Sequence, residues 1–144
     1  PQDVEIFEDG VRQEVAFFRE AAGGPEARIP LSVVLVLDAS GSMKKNLGFL
    51  QEAATAFLGK LEEGDEAMVV QFNESVKGSA EFTGDSERLD QFVEAVQAWG
   101  GTALYDAVHY ALARIRDRPG RKAVVVFSAG ADDKSGLKEQ EVLD

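Results

Sequence analysis

The chain has no cysteine in its 144 residues, one histidine (His109) and one tryptophan (Trp99). Without cysteine there is no disulfide and no thiolate metal centre, whatever the compartment. A single imidazole leaves little room for a zinc enzyme or a histidine-based triad. Positive charge is scarce too, with 15 Lys and Arg against 26 Asp and Glu, a net charge of −11. Such a chain repels phosphate backbones and anionic lipid, so nucleic acid and acidic membrane surfaces are poor partners. Cations and basic protein surfaces suit it better. No apolar run reaches the ~18 residues that a membrane helix needs, and no signal peptide is read at Pro1. What remains is enough for one domain with its own core: 44% of the residues are hydrophobic, an ordinary share for a globular protein.

Hydrophobic patterning divides the chain at about residue 24. Before it, the two alternating runs of Val4 to Phe18 flank Asp9-Gly10, a strong hairpin signal because Gly tolerates positive φ. Ala21-Ala22-Gly23-Gly24-Pro25 reads as a linker. Residues 1–24 are therefore expected to form a hairpin and linker, serving as packing rather than as a binding element, and residues 25–144 a domain. In the domain, Val33-Val34-Leu35-Val36-Leu37 is apolar on both faces and reads as a buried strand. A helix is expected from about Met43 to Gly59, with Leu47, Leu50, Ala54, Phe57 and Leu58 inward. A second strand covers Asp65 to Phe72, and Asn73-Glu74 turns into an antiparallel third through Val76, Ala80 and Phe82. Asp85 or Ser86 caps a helix whose stripe is Leu89, Phe92, Val93, Val96 and Trp99, which places Trp99 in the core. Gly100-Gly101-Thr102 opens another helix, with Leu104, Val108, Leu112 and Ile115 inward, and Ala123-Val124-Val125-Val126-Phe127 is a fourth strand, again apolar on both faces. The order β-α-β-β-α-α-β predicts a three-layer α/β/α sandwich on a mostly parallel sheet. A strand as apolar as Val124 to Phe127 followed only by a polar tail would leave a hazardous edge. The domain is thus expected to be incomplete at its C-terminus, or covered there by the hairpin or by a second copy through self-association.

The chemistry gathers where the first strand ends, in Asp38-x-Ser40-x-Ser42. In an open α/β sheet, ligands bind outside the carboxyl ends of the strands. Hydroxyls and a carboxylate are hard oxygen donors, suited to Mg²⁺, Mn²⁺ or Ca²⁺ rather than zinc or copper. Gly41 permits close backbone approach, and Thr102 offers a third hydroxyl on a second loop. Taken singly, each of these residues is an ordinary helix cap or turn former. The combination at one sheet edge favours the metal.

Asp38-Ala39-Ser40-Gly41-Ser42-Met43 and Gly100-Gly101-Thr102-Ala103-Leu104-Tyr105-Asp106 together resemble the von Willebrand factor type A domain with its metal-ion-dependent adhesion site. Arg121 to Ser128 is similar to the strand leading to that family's third metal loop, and the hairpin to a segment preceding the domain in bacterial members. The resemblance implies a Rossmann-like fold, with Ser40, Ser42 and Thr102 at the metal and Asp38 in or near its shell. It implies a protein partner that offers an Asp or Glu to the metal, an extracytoplasmic setting, and further strands and helices after Asp144. One position departs from the family's pattern. The third loop's usual Asp is Ala129, and Asp132 and Asp133 are the acids at hand to substitute. Fewer carboxylates hold a cation more weakly.

Catalysis finds less support. The strand end loosely resembles phosphotransferases of the haloacid dehalogenase type, but those need a second Asp where Ser40 stands. A Gly-x-Ser-x-Gly elbow fails around Ser40, and no phosphate loop with its lysine is present. His109 is expected on a helix surface, and Lys44-Lys45 on a solvated one. The sequence therefore points to a metal-assisted protein-binding module rather than an enzyme, with a scaffold carrying a vestigial metal site as the alternative.

Overall fold

In a computed structural model, residues 6–13, 28–79, 81–128 and 132–143 are described. The N-terminal hairpin pairs β1 (Ile6–Glu8) with β2 (Val11–Gln13), antiparallel, with Glu8 opposite Val11. Asp9 and Gly10 both take positive φ, 50° and 78°, as a type I′ turn requires. Val4, the segment 14–18 and the linker 21–25 lie outside the described residues.

A four-stranded sheet follows, in the order β5-β4-β3-β6. Its strands are β3 (Leu31–Asp38), β4 (Glu66–Phe72), β5 (Val76–Gly78) and β6 (Arg121–Phe127). β3 runs parallel to both β4 and β6, and only β5 is antiparallel. With a neighbour on each side and helices on both faces, β3 buries every residue from Ser32 to Asp38. This is why its composition is a continuous β-branched run and not an alternation. Val33, Leu35 and Leu37 meet α1 (Leu47–Leu58) and α2 (Ser86–Glu94) on one face. Val34 and Val36 meet α3 (Leu104–Ile115) on the other. Each such side chain contributes roughly 1.5–3 kcal/mol on full burial. The result is the expected three-layer sandwich, preceded by the hairpin. A short α4 (Glu139–Leu143) lies against α3.

Four local expectations change. The first helix does not run unbroken from Met43: a 3-10 turn at Gly41–Lys45 precedes α1, because Ser40, Gly41 and Ser42 favour turns over helix. The inward stripe of α3 is Ala107, Ala111 and Ile115, and Leu112 is 41% exposed. Short alanines let the helix approach over Val34, Val36, Met68 and Phe72, which fill that layer. α2 ends at Glu94, so Val96 is buried from a loop and Trp99 stands 52% exposed. Its own N–H is tied to Ala39 O at 2.9 Å, which draws the chain to the sheet's rim and leaves the ring outside. Finally, β6 pairs only with β3 among the described residues. Its side chains are half-buried or exposed, not covered on both faces, since an edge strand has fewer neighbours.

The opposite end of the strands is held by charge. Asp65, just before β4, is buried and accepts from the Arg28 guanidinium at 2.6 Å, Leu31 N–H at 2.8 Å and Glu62 N–H at 3.1 Å. The guanidinium bond, with the two amides, outweighs burial and lowers the carboxyl to about 2. Arg118 pairs with Glu66, donates to Ser32 Oγ at 3.2 Å and sits 4.6 Å above the Phe82 ring. Hydrophobic patterning does not disclose these pairs.

Candidate functional site

The register of the sheet assembles the site. Leu37 lies opposite Phe127 on one side and Asp38 opposite Phe72 on the other, so three strands deliver their last residues to one edge. Asp38 is fully buried there. Its Oδ1 accepts the Ser40 N–H at 2.9 Å and its Oδ2 the Ser128 Oγ–H at 2.7 Å. The first bond closes an Asx turn that swings the chain off β3, so part of Asp38's role is that of a turn former. Ser128 was not singled out from the sequence. The signal available was parallel register: it follows β6 just as Asp38 ends β3.

Ser40 and Ser42 share a hydrogen bond, their Oγ atoms 2.9 Å apart. Ser40 precedes the 3-10 turn, yet its side chain makes no capping bond to it. Thr102 is buried one residue before the N-cap of α3, Ala103. Helix capping therefore does not account for the Ser40 hydroxyl.

Backbone bonds then lock the loops together. Ala39 N–H donates to Phe72 O at 2.7 Å, Trp99 N–H to Ala39 O at 2.9 Å, and Gly41 N–H to Gly100 O at 3.0 Å. A Cβ on Gly41 would come within 3.1 Å of Gly100 O, and Gly100 itself holds φ +71°, so both positions call for glycine. Ala103 N–H donates to Asn73 O at 2.6 Å. Thus the loops after β3, β4 and α2 form one rim that carries Asp38, Ser40, Ser42 and Thr102.

Asp132 and Asp133 sit on the same rim, bonded to backbone amides and, for Asp132, to the Ser135 hydroxyl as well. Asp133 Oδ1 accepts the Thr102 N–H at 2.6 Å, while Thr102 O accepts from Asp133 N–H at 2.9 Å and Lys134 N–H at 3.0 Å. Asp132 accepts the Tyr105 N–H at 3.1 Å and the Ser135 hydroxyl, close to the positive end of α3. Burial opposes its ionisation, but the Ser135 and amide bonds outweigh burial and hold the carboxyl below its ordinary value. Asp106 returns the bond by accepting from Gly136 N–H and Leu137 N–H, both at 3.0 Å. The two acids thereby clamp Thr102 and the start of α3. Ala129 lies outside the described residues.

As donors, the side chains fit a small hard cation. Oxygens bound to Mg²⁺ at ~2.0–2.1 Å in an octahedron stand about 2.9 Å from their neighbours, the separation of the two serine oxygens. Among the described residues, no three His, Cys, Asp or Glu side chains gather as a metal cluster. A cation here would rest on Ser40, Ser42 and Thr102, with Asp38 beside them. His109 is exposed on α3, as expected.

An α/β sandwich of this order, with a hydroxyl-bearing rim at the strand ends, has the Rossmann-like architecture. Within that class, the chain belongs to the von Willebrand factor type A domain family, whose model matches residues 33–132. Several solved structures share the fold at low identity. The vWF domain of the type V pili tip protein Mfa5 from Porphyromonas gingivalis is 23% identical with a TM-score of 0.67, covering 72% of this chain and 39% of that one. A von Willebrand factor type A protein from Catenulispora acidiphila is 19% identical with a TM-score of 0.71, covering 80% and 29%. The PilB minor pilin from Streptococcus sanguinis is 19% identical with a TM-score of 0.64, covering 75% and 31%. The chain thus spans at most 39% of the length of these three proteins. No curated protein sequence matches it.

Proposed function

We propose that the domain is a protein-recognition module, not a catalyst, that binds an acidic group of its partner through a divalent cation. Ser40, Ser42 and Thr102 hold the cation, and Asp38 orients the Ser40 turn from beneath. The observation that carries the reading is the hydrogen-bonded pair of serine oxygens, at ligand spacing beside a buried carboxylate, with the Ser40 hydroxyl capping no helix. Membership of the family and the pilus proteins among its structural neighbours support a role in adhesion or assembly. The cation, Mg²⁺ or else Mn²⁺ or Ca²⁺, supplies a Lewis-acidic position for a partner's carboxylate. With few protein charges around it, the site holds metal weakly.

The single tryptophan reports on this directly, because Trp99 is bonded to Ala39 within the site. Paramagnetic Mn²⁺ is expected to quench its fluorescence saturably, with Mg²⁺ competing. Ser40→Ala should weaken both effects at least tenfold. Ala129→Asp should strengthen them, since it adds a carboxylate to the third loop. Quenching that is unsaturable, or indifferent to Ser40→Ala, would remove the cation from the proposal and leave a scaffold with a vestigial site.

A second reading concerns the rim of the sheet at β6. Its outer edge is unpaired among the described residues, and Val126 (40% exposed) and Phe49 (77% exposed) border an apolar cleft with Met43, Leu50 and Phe127. We propose self-association of two copies along this edge. Sedimentation should then show a concentration-dependent dimer that Val126→Lys abolishes, and a monomer at every concentration would refute it.

A further inference from the structure

A cleft of about 230 Å³ opens next to the Asp38 to Ser42 loop, lined by Gln71, Phe72, Asn73, Ser75, Lys77 and Trp99. Two of its walls are bonded to the residue between Asp38 and Ser40: Phe72 O accepts from Ala39 N–H, and Trp99 N–H donates to Ala39 O. The cleft and the serine oxygens thus lie on either side of one residue, Ala39. The cleft is preorganised. Asn73 Oδ1 is occupied by Ser75 N–H at 3.0 Å and Ser75 Oγ–H at 3.1 Å, which leaves the Asn73 amide nitrogen as its donor end. Lys77, opposite Gln71 in the β4–β5 pairing, adds an exposed ammonium. Trp99 adds a half-exposed aromatic face, of the kind that dominates binding energy at protein interfaces.

We infer that this cleft is a second anchor for the same partner, receiving an acidic side chain that flanks the carboxylate bound at Ser40 and Ser42. The inference rests on the cation reading for the first carboxylate only. Lysine and amide donors select an anion, the Trp99 ring packs its methylenes, and the volume equals roughly eight waters at ~30 Å³ each, enough for a Glu side chain. Glu74 packs against Gly100 on the adjoining loop, so a second carboxylate gains only on the Lys77 side. The recognised segment is thus an acidic peptide with two acids close in sequence, not one isolated acid.

The test uses two peptides, acetyl-Gly-Asp-Gly amide and acetyl-Gly-Asp-Gly-Glu-Gly amide, titrated by NMR against the whole chain in Mg²⁺ and in EDTA. In Mg²⁺ the two-acid peptide should bind about tenfold tighter and move the Trp99 indole N–H. Lys77→Ser should abolish that gain while leaving the one-acid affinity unchanged, and Trp99→Phe should retain more of it than Trp99→Ala. In EDTA, millimolar two-acid peptide should still move the Trp99 indole but not the Ser40 and Ser42 amides. Equal affinities for the two peptides, a gain that survives Lys77→Ser, or an unmoved indole in both media would overturn the second anchor. Movement of the indole with still Ser40 and Ser42 amides in Mg²⁺ would instead overturn the cation and leave the anchor standing.

Discussion

At one end of the parallel strands a buried carboxylate is closed by a guanidinium; at the other, a buried carboxylate is met by an amide and a hydroxyl. Asp65 and Asp38 are both sequestered from solvent, but Asp65 is bonded to Arg28 and two backbone amides. Asp38 instead organises a turn and takes Ser128, next to two serines whose oxygens face each other. A carboxylate with its cation built in is a structural fixture. Asp38 sits instead among hydroxyls, at the edge where an open α/β sheet binds ligands. The same residue type thus closes an ion pair at one end and, in the proposed function, supports a binding rim at the other.

That contrast can be broken in several ways. The largest expected effect is from Asp65→Ala, which leaves the Leu31 and Glu62 amides without their acceptor and Arg28 with only Glu62 for an ion pair, and should cost about 3 kcal/mol in urea unfolding. Mn²⁺ quenching of Trp99 in the surviving folded fraction should be unchanged; a matching loss of quenching would show that the two ends are not separable.

Acid should reproduce part of that loss. The Asp65 carboxyl is lowered from 3.8 to about 2 in the fold. Its contribution is therefore complete above pH ~4 and disappears as the pH falls towards 2, about 2 kcal/mol in all. Asp132, also lowered, acts in the same direction. In Asp65→Asn the acid-induced fall in stability between pH 4 and 2 should shrink correspondingly, and an undiminished fall would place the acid lability elsewhere.

A smaller effect is expected at the clamp. Asp133→Ala frees the Thr102 N–H, should cost about 1 kcal/mol and should raise hydrogen exchange at Thr102. Asp133→Asn keeps an acceptor for that N–H, so it should preserve both Thr102 protection and Mn²⁺ affinity. If Asn loses the metal while protecting Thr102, Asp133 is itself a ligand, as the sequence alone had allowed.

A change in stability of no more than about 1 kcal/mol is expected for Ser40→Ala, because its hydroxyl caps no helix and only the bond to Ser42 is lost. Together with a tenfold loss of metal affinity this would separate function from fold at the upper end. A loss of more than about 2 kcal/mol would assign Ser40 a structural role like that of Asp65.

Much of the fold was legible because burial writes a period into the chain. The unbroken run Val33 to Leu37 marks the central strand, and Asp9-Gly10 its own turn. The inward faces were less so. Leu112 fits a helical stripe as well as Ala111 does, and only the bulk of Val34, Val36 and Phe72 beneath α3 decides that the alanine goes in. Trp99 continued an apolar stripe on paper, but one backbone bond to Ala39 carries it to the rim.

By itself, the sequence determined the strand and helix order, the oxygen-rich turn after β3 and the Gly-Gly-Thr loop, since hydrophobic periodicity and turn chemistry are local properties. Tertiary structure decided that Ser128 reaches Asp38, that Asp132 and Asp133 bind the Thr102 loop, and that Arg28 finds Asp65 from 37 residues away. These are partnerships of register and loop closure between segments distant in the chain. No local pattern encodes them, because their energy exists only once the sheet has assembled.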